Sequence, residues 1–281
     1  MENYMKVAFV ADSSANKHTR EGMSVGYAPM KIVTEEKEYI DTPDLDVRKM
    51  MEEMKAYKGR SGTACPSIGD WLEAFDEADM VLGVAITSGL SGTYNSACTA
   101  AKQYLESKPD AKVFILDSLS TGPEMQLILE KYAEFVDAGM EFEEICEAIR
   151  EYHQHTHLLF SLESLDNLVK NGRVKPIVGK LAGVLGLRMV GRASAEGTLE
   201  PLYKARGEKK AIQNIVKEMD SVGFKGGKVR ITHNFNEPMA RAVQDTVLAK
   251  WPESEVVISE NTALCGYYAE MGGLLIGYED I

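Results

Sequence analysis

The 281-residue chain holds only four cysteines, five histidines and two tryptophans, and these shortages narrow what it can be. Cys65, Cys98, Cys146 and Cys265 stand far apart with no C-x-x-C pair, which argues against a disulfide framework or a zinc site and for reduced thiols. No stretch reaches the ~20 apolar residues of a membrane span. The most apolar segment, PIVGKLAGVLGLRMV (176–190), is shorter and contains Lys180 and Arg188. The first residues, MENYMKVAFVADSS, carry a short apolar run before an Asp, too brief for the core of a secretory signal. A cytoplasmic location is therefore expected. The phosphate-gripping pattern G-x-x-x-x-G-K-S/T is absent, so ATP is not held by that device. A formal charge of −12 repels phosphate backbones and disfavours nucleic acid as a partner.

What remains is an ordinary globular composition, 44% hydrophobic and 26% charged, in a chain long enough for two domains with separate cores. The first half alternates β-rich runs (KVAFVAD, YAPMKIV, MVLGVAIT, KVFILDS) with helical ones (SIGDWLEAFDEA, TYNSACTAAKQYLES), the pattern of a parallel sheet covered by helices. A helical hairpin, EFVDAGMEFEEICEAIREY, leads to HQHTH. Beyond it, HLLFSLE, LRMVGRAS, TLEPLYKAR, KVRITHN, EVVISEN and GLLIGYED form a second set of strands with two long helices, GEKKAIQNIVKEMDSV and EPMARAVQDTVLAKW. The expected division is 1–155 and 156–281.

Charge is unevenly placed. Between residues 170 and 210 ten Lys or Arg face three Glu, a net +7 inside an acidic chain. Such a reversal fits a face for an anionic ligand or partner, or a row of solvated side chains. In the same stretch Gly179, Gly183 and Gly186 recur at helical spacing around Leu185. They would bare one side of a helix, either for tight packing or as a wall for an elongated apolar ligand.

Four loops of the first half share one design: a strand ends, small and hydroxyl residues follow, and a helix begins. They are VADSSANKHT (10–19), TACPSIGD (63–70), TSGLSGTYNS (87–96) and LDSLSTGPEM (116–125). Ligands of open α/β sheets sit outside the carboxyl ends of the strands, where helix starts offer free N–H groups to an anion. The loops are expected to converge there, although Ser, Thr and Asp are also plain helix caps and Ser67 with Asp70 reads as a capping box. The loops hold little that could react with a bound anion. GLSGT falls one residue short of the G-x-S-x-G elbow, and no spacing pairs a serine with His18 or His233. His153, His155 and His157 alternate as metal ligands could, but lack a matching carboxylate or Cys motif. Hydroxyls and amides can hold a carboxylate without transforming it.

These stretches resemble the DegV family of bacterial fatty-acid-binding proteins. VADSSA is similar to the family's T-D-S-S/T, TACPSIGDW to T-S-Q-P-S, TSGLSGTYNSA to S-S-G-L/I-S-G-S/T-Y-Q-S, and ILDSLSTG to its D-S loop. LESLDNLVKNGRV, LYKARGEKKA and RITHNFNEP resemble its later motifs. The resemblance implies a two-domain α/β fold with a Rossmann-like parallel-sheet first domain and a lipid cleft between the domains. It also implies one long-chain fatty acid as ligand, no cofactor, and a fatty-acid kinase as partner that phosphorylates the enclosed carboxylate. Transient contact with a membrane is compatible with that role. Carried over, the carboxylate contacts would be Thr63, Ser88 or Ser91, Gly92 and Thr93. Arg173 and Arg206 match arginines near the head group or the kinase surface, and Gly179, Gly183 and Leu185 would wall the acyl chain. Two departures stand out. The family's Gln is Cys65, and the closing T-H-x-G-P-G loop is missing, its His falling on Tyr268 in CGYYAEMGG, which joins the expected carboxylate contacts because a phenol can donate a hydrogen bond. A serine hydrolase using Ser88, Ser91 or Ser118, and a lipid store or sensor without a kinase, are the competing readings.

Overall fold

The computed structural model describes residues 5–17, 22–175 and 186–281. Strands β1 (Val7–Asp12), β2 (Val25–Ala28), β6 (Met80–Ala85) and β7 (Lys112–Asp117) form a parallel sheet in the order β2-β1-β6-β7. Every residue of β6 is buried, as a central strand covered on both faces requires. Helices α2 (Ile68–Ala74), α3 (Thr93–Ser107), α4 (Pro123–Asp137) and α5 (Phe142–His153) accompany it, and α3 covers the helical run read at 93–107.

The second sheet is mixed, with strands β8 (Thr156–Leu162), β9 (Leu187–Ala193), β10 (Leu199–Arg206), β11 (Lys228–His233), β12 (Glu255–Glu260) and β13 (Leu274–Glu279). Their order is β10-β9-β8-β13-β11-β12. Only β11 and β12 run parallel among these neighbours. A short helix, α6 (Asp166–Lys170), follows β8, and the two long helices α7 (Glu208–Ser221) and α8 (Glu237–Lys250) bury their apolar faces with this sheet.

One expectation changes. YAPMKIV is not a single strand. Pro29 has no N–H to give to a ladder, and the chain leaves the parallel sheet there. It re-enters as β3 (Lys31–Thr34) in a small antiparallel sheet, β4-β3-β5, with β4 (Glu38–Ile40) and β5 (Ser61–Ala64). Helix α1 (Val47–Ala56) and helix α9 (Ala263–Ala269) pack with that sheet around the buried Ile32, Tyr39, Met50 and Tyr267. A helix from the end of the chain is thus lodged among strands from its beginning.

The two large sheets are joined by α4, which lies over β13, β11 and β8. Glu130 of α4 receives two bonds from Arg230 of β11, at 2.9 and 2.6 Å, and both side chains are only 4% exposed. Thr156 donates to Glu124 at 2.8 Å, and Tyr152 donates to Glu279 at 2.6 Å. Gly277 makes this approach possible, since a Cβ there would lie 2.5 Å from the backbone of Pro123 and Glu124.

Candidate functional site

A cleft lies between the second sheet and the loops of the first, with about 820 Å³ of empty space including the part open to solvent. Its sheet wall follows from the period of β8: Leu158, Phe160 and Leu162 alternate along the strand and so share one face. Leu275, Ala193 and Leu199 extend that wall from neighbouring strands. Opposite stand Ile86, Thr87, Leu90 and Ser91 after β6, Leu119 to Thr121 after β7, and Leu264, Cys265, Tyr268 and Ala269 of α9. The β9–β10 hairpin closes against the β6 loop, where Thr87 Oγ1 donates to the Gly197 carbonyl at 2.8 Å. Gly197 has φ +70, and a Cβ on it would come within 2.0 Å of Thr87 Oγ1, so only glycine fits.

Polar groups gather where α9 meets β5. The Thr63 hydroxyl and the Tyr268 phenol are 2.8 Å apart. Burial pushes the Tyr268 phenol above the usual tyrosine range, while the Thr63 bond and the charge of Arg173 pull it partly back. It therefore remains a neutral donor at physiological pH. Arg173 also lines the cleft, its guanidinium donating to the Asn171 carbonyl. Ser91 Oγ lies 2.8 Å from Thr93 Oγ1 and accepts the Thr93 amide at 3.3 Å. These two hydroxyls, the phenol and the guanidinium can hold an acidic head while the leucine and phenylalanine walls take an apolar tail; Arg192, which also lines the cleft, is paired with Glu200 at 2.8 Å. Cys265 adds to those walls, since burial pushes its thiol up to about 12 and keeps it uncharged.

The expected site residues divide accordingly. Thr63, Ser91, Tyr268 and Arg173 line the cleft. Thr93 is fully buried behind Ser91, its hydroxyl also 3.3 Å from the Met30 sulfur. Ser88 and Gly92 do not line the cleft; both are exposed, and the Ser88 amide instead donates to Asp117 at 3.0 Å. Arg206 is exposed at the end of β10, outside the cleft. Gly179, Gly183 and Leu185 lie outside the described residues. HLLFSLE does carry the signal of the sheet wall, which the loop motifs overshadow: Leu158, Phe160 and Leu162 share one face, and three of the four residues on the other, His157, Ser161 and Glu163, are polar. Met30, which lines the cleft, was hidden inside what reads as one strand.

Three of the four loops reach the cleft, and the described residues of the first, 10–17, do not line it. Its Asp12 caps the 3-10 turn Ser13–Ala15, and the Ser13 hydroxyl donates to Asp41 at 2.9 Å. Asp41 in turn accepts the Ala263 and Leu264 amides at 2.9 and 3.0 Å. The anion at the start of α9 is therefore the protein's own carboxylate. In the second loop Ser67 and Asp70 form the capping box. Among the described residues no group of three or more His, Cys, Asp or Glu could hold a metal. His155 and His157 both bond Asp280, and His153 bonds the Ser118 carbonyl. The Ser118 hydroxyl is buried and donates to the Ser120 carbonyl.

Sheet order, cleft and polar cluster together define a class: two-domain α/β proteins with a largely apolar cleft between the domains and a cluster of hydroxyls, a phenol and a guanidinium on its lip. The DegV family profile matches residues 6–279, and the chain belongs to that family. A DegV domain-containing protein of Streptococcus pneumoniae is 43% identical over 251 residues, 89% of each chain. A DegV family protein of Eubacterium eligens, solved loaded with heptadecanoic acid, superposes with a TM-score of 0.96 at 43% identity, covering 98% of this chain and 100% of that one. The Fatty Acid Kinase (Fak) B3 protein of S. pneumoniae, loaded with linoleic acid, gives 0.94 at 40% identity, over 99% and 100%. Among the described residues no helix is long and apolar enough to cross a membrane.

Proposed function

We propose that this chain binds one long-chain fatty acid in the cleft and presents its carboxylate to a partner kinase in the cytoplasm, without catalysing a reaction itself. The observation that carries this reading is the Thr63–Tyr268 pair beside Arg173 and Ser91, on the lip of a cavity walled by Leu158, Phe160, Leu162 and Leu275. The fatty acids in the two similar structures agree with it. Energetically the tail dominates. A sixteen-carbon acid buries about fourteen methylenes at ~0.8 kcal/mol each, ~11 kcal/mol before lost freedom is charged against it. A charge-assisted bond contributes ~1.5–3 kcal/mol, much of which offsets desolvation of the carboxylate. The head-group cluster thus fixes position more than affinity.

Arg173 holds the head group, and exposed Arg206, in the basic stretch, meets the kinase. The domains divide at residue 155. Delipidated protein, given palmitate, ATP and a fatty-acid kinase, yields an acyl-phosphate that hydroxylamine traps as the hydroxamate. Ester hydrolysis by the chain alone would refute the carrier reading. Tyr268 favours one variant of it: a phenol donates a hydrogen bond but does not carry a proton at neutral pH. Lipid binding without any trapped hydroxamate would establish a store or sensor instead.

A further inference from the structure

We propose that Tyr267 is a positioning residue that sets the spacing of the head-group cluster. The inference rests on the fatty-acid reading of the cleft. Ser61 and Thr63 lie two residues apart on β5, where side chains share a face, and α9 offers two tyrosines in succession. The result is a pair of parallel contacts: Ser61 Oγ to the Tyr267 phenol at 2.7 Å, and Thr63 Oγ1 to the Tyr268 phenol at 2.8 Å. The two rings meet edge to face, with centroids 5.0 Å apart.

The contacts are not equivalent. Thr63 and Tyr268 line the cleft, so their hydroxyls turn toward a carboxylate when one enters. Tyr267 is fully buried and does not line it. Its phenol accepts from Asn171 Nδ2 at 3.1 Å, which leaves its own hydrogen for Ser61. Asn171 Nδ2 also donates to the Asn167 carbonyl at 2.9 Å, Asn167 Nδ2 donates to the Tyr267 carbonyl at 2.8 Å, and the Asn171 carbonyl accepts from Arg173. One buried phenol therefore ties together the strand carrying Thr63, the helix carrying Tyr268 and the turn carrying Arg173. When the Thr63–Tyr268 contact gives way to ligand, Ser61–Tyr267–Asn171 keeps the three elements in register.

The test uses palmitate labelled with 13C at C1 and, separately, at the terminal methyl, bound to the full chain. Tyr267→Phe keeps the ring and deletes the link. Its bound carboxyl resonance is expected to move away from the wild-type position while the methyl resonance stays, with Kd changed less than about threefold because the tail dominates. Kinase-dependent kcat falls ten- to hundredfold, the cost of a head group misplaced by about an ångström. Ser61→Ala, which cuts the same link from the strand side, reproduces the carboxyl shift and covers the case in which Tyr267→Phe folds poorly. Tyr132→Phe, a buried phenol bonded to the Gly83 carbonyl, is the control for loss of stability alone and leaves both resonances in place. A carboxyl resonance unmoved in both Tyr267→Phe and Ser61→Ala, with palmitate bound, overturns the positioning role and leaves the proposed function standing. Wild-type protein that takes up no palmitate overturns both.

Discussion

The two large sheets meet in two places, and the places are built differently. Along α4 the junction is charged, and each buried carboxylate has a fixed protein partner: Glu130 with Arg230, Glu124 with Thr156, Glu279 with Tyr152. At the cleft the walls are mainly leucine, phenylalanine and alanine, and the polar groups are neutral hydroxyls and a phenol beside two guanidiniums, Arg173 and the Glu200-paired Arg192. A buried charge pair tolerates little displacement, because moving one partner strands the other in a low dielectric. Hydroxyls exchange partners at small cost. One junction fixes the geometry of the domains, and the other leaves its polar groups free to exchange partners.

The largest effect is expected at the charged junction. Glu130→Ala leaves Arg230 with the exposed Glu255 as its remaining carboxylate and should cost ~3–5 kcal/mol in urea unfolding. A cost under about 1 kcal/mol would mean that α4 does not lock the domains. Next comes pH. Burial pushes the Asp12 carboxyl up to about 6 against amide bonds from Ser14 and Ile86. The folded state therefore keeps a proton that the unfolded chain sheds near pH 3.8. Its contribution to stability is complete below that pH and is lost as pH rises through about 6. Asp41 and Glu124, raised chiefly by the same burial, act in the same direction. Relative to Asp12→Asn, the wild type should lose on the order of 2 kcal/mol between pH 4 and 6.5, read from paired denaturation curves; parallel curves would contradict it.

Within the cleft, removing two methylenes from the ligand should weaken binding by ~1.6 kcal/mol, about tenfold, in a palmitate-to-myristate comparison by calorimetry. Equal affinities would show that the head group governs. The smallest effect belongs to that head group. Thr63→Val or Ser91→Ala should change Kd by about 1 kcal/mol or less. A hundredfold loss in either would reverse the assignment of roles.

The sequence carried the loops and helices of this picture more clearly than its walls. TSGLSGTYNSA shows where β6 ends and α3 begins, because small residues must turn the chain before the helix period starts. The small sheet was illegible: β4 and β5 are three and four residues long, and SGTA has no apolar alternation. It packs with α1 and with α9, the latter about 200 residues further along the chain, which no local pattern reports. The polar part of the cleft lining was easier to read, since Thr63, Ser91 and Arg173 stand in motifs and Tyr268 takes the place of a missing one. Ser88 and Ser91 stand three residues apart in one loop, and only Ser91 lines the cleft, because the turn at Ser88 is held outward by its amide bond to Asp117. Helix capping by Ser67 and Asp70, and the role of Asp41 at the start of α9, show how readily the same residue types serve the fold.

The most direct measurement is native mass spectrometry of freshly purified protein, followed by denaturation and identification of whatever is released. One equivalent of a fatty acid, lost on unfolding and displaced by added palmitate, is the predicted result. A chain that keeps its bare mass both as purified and after incubation with excess palmitate would contradict it.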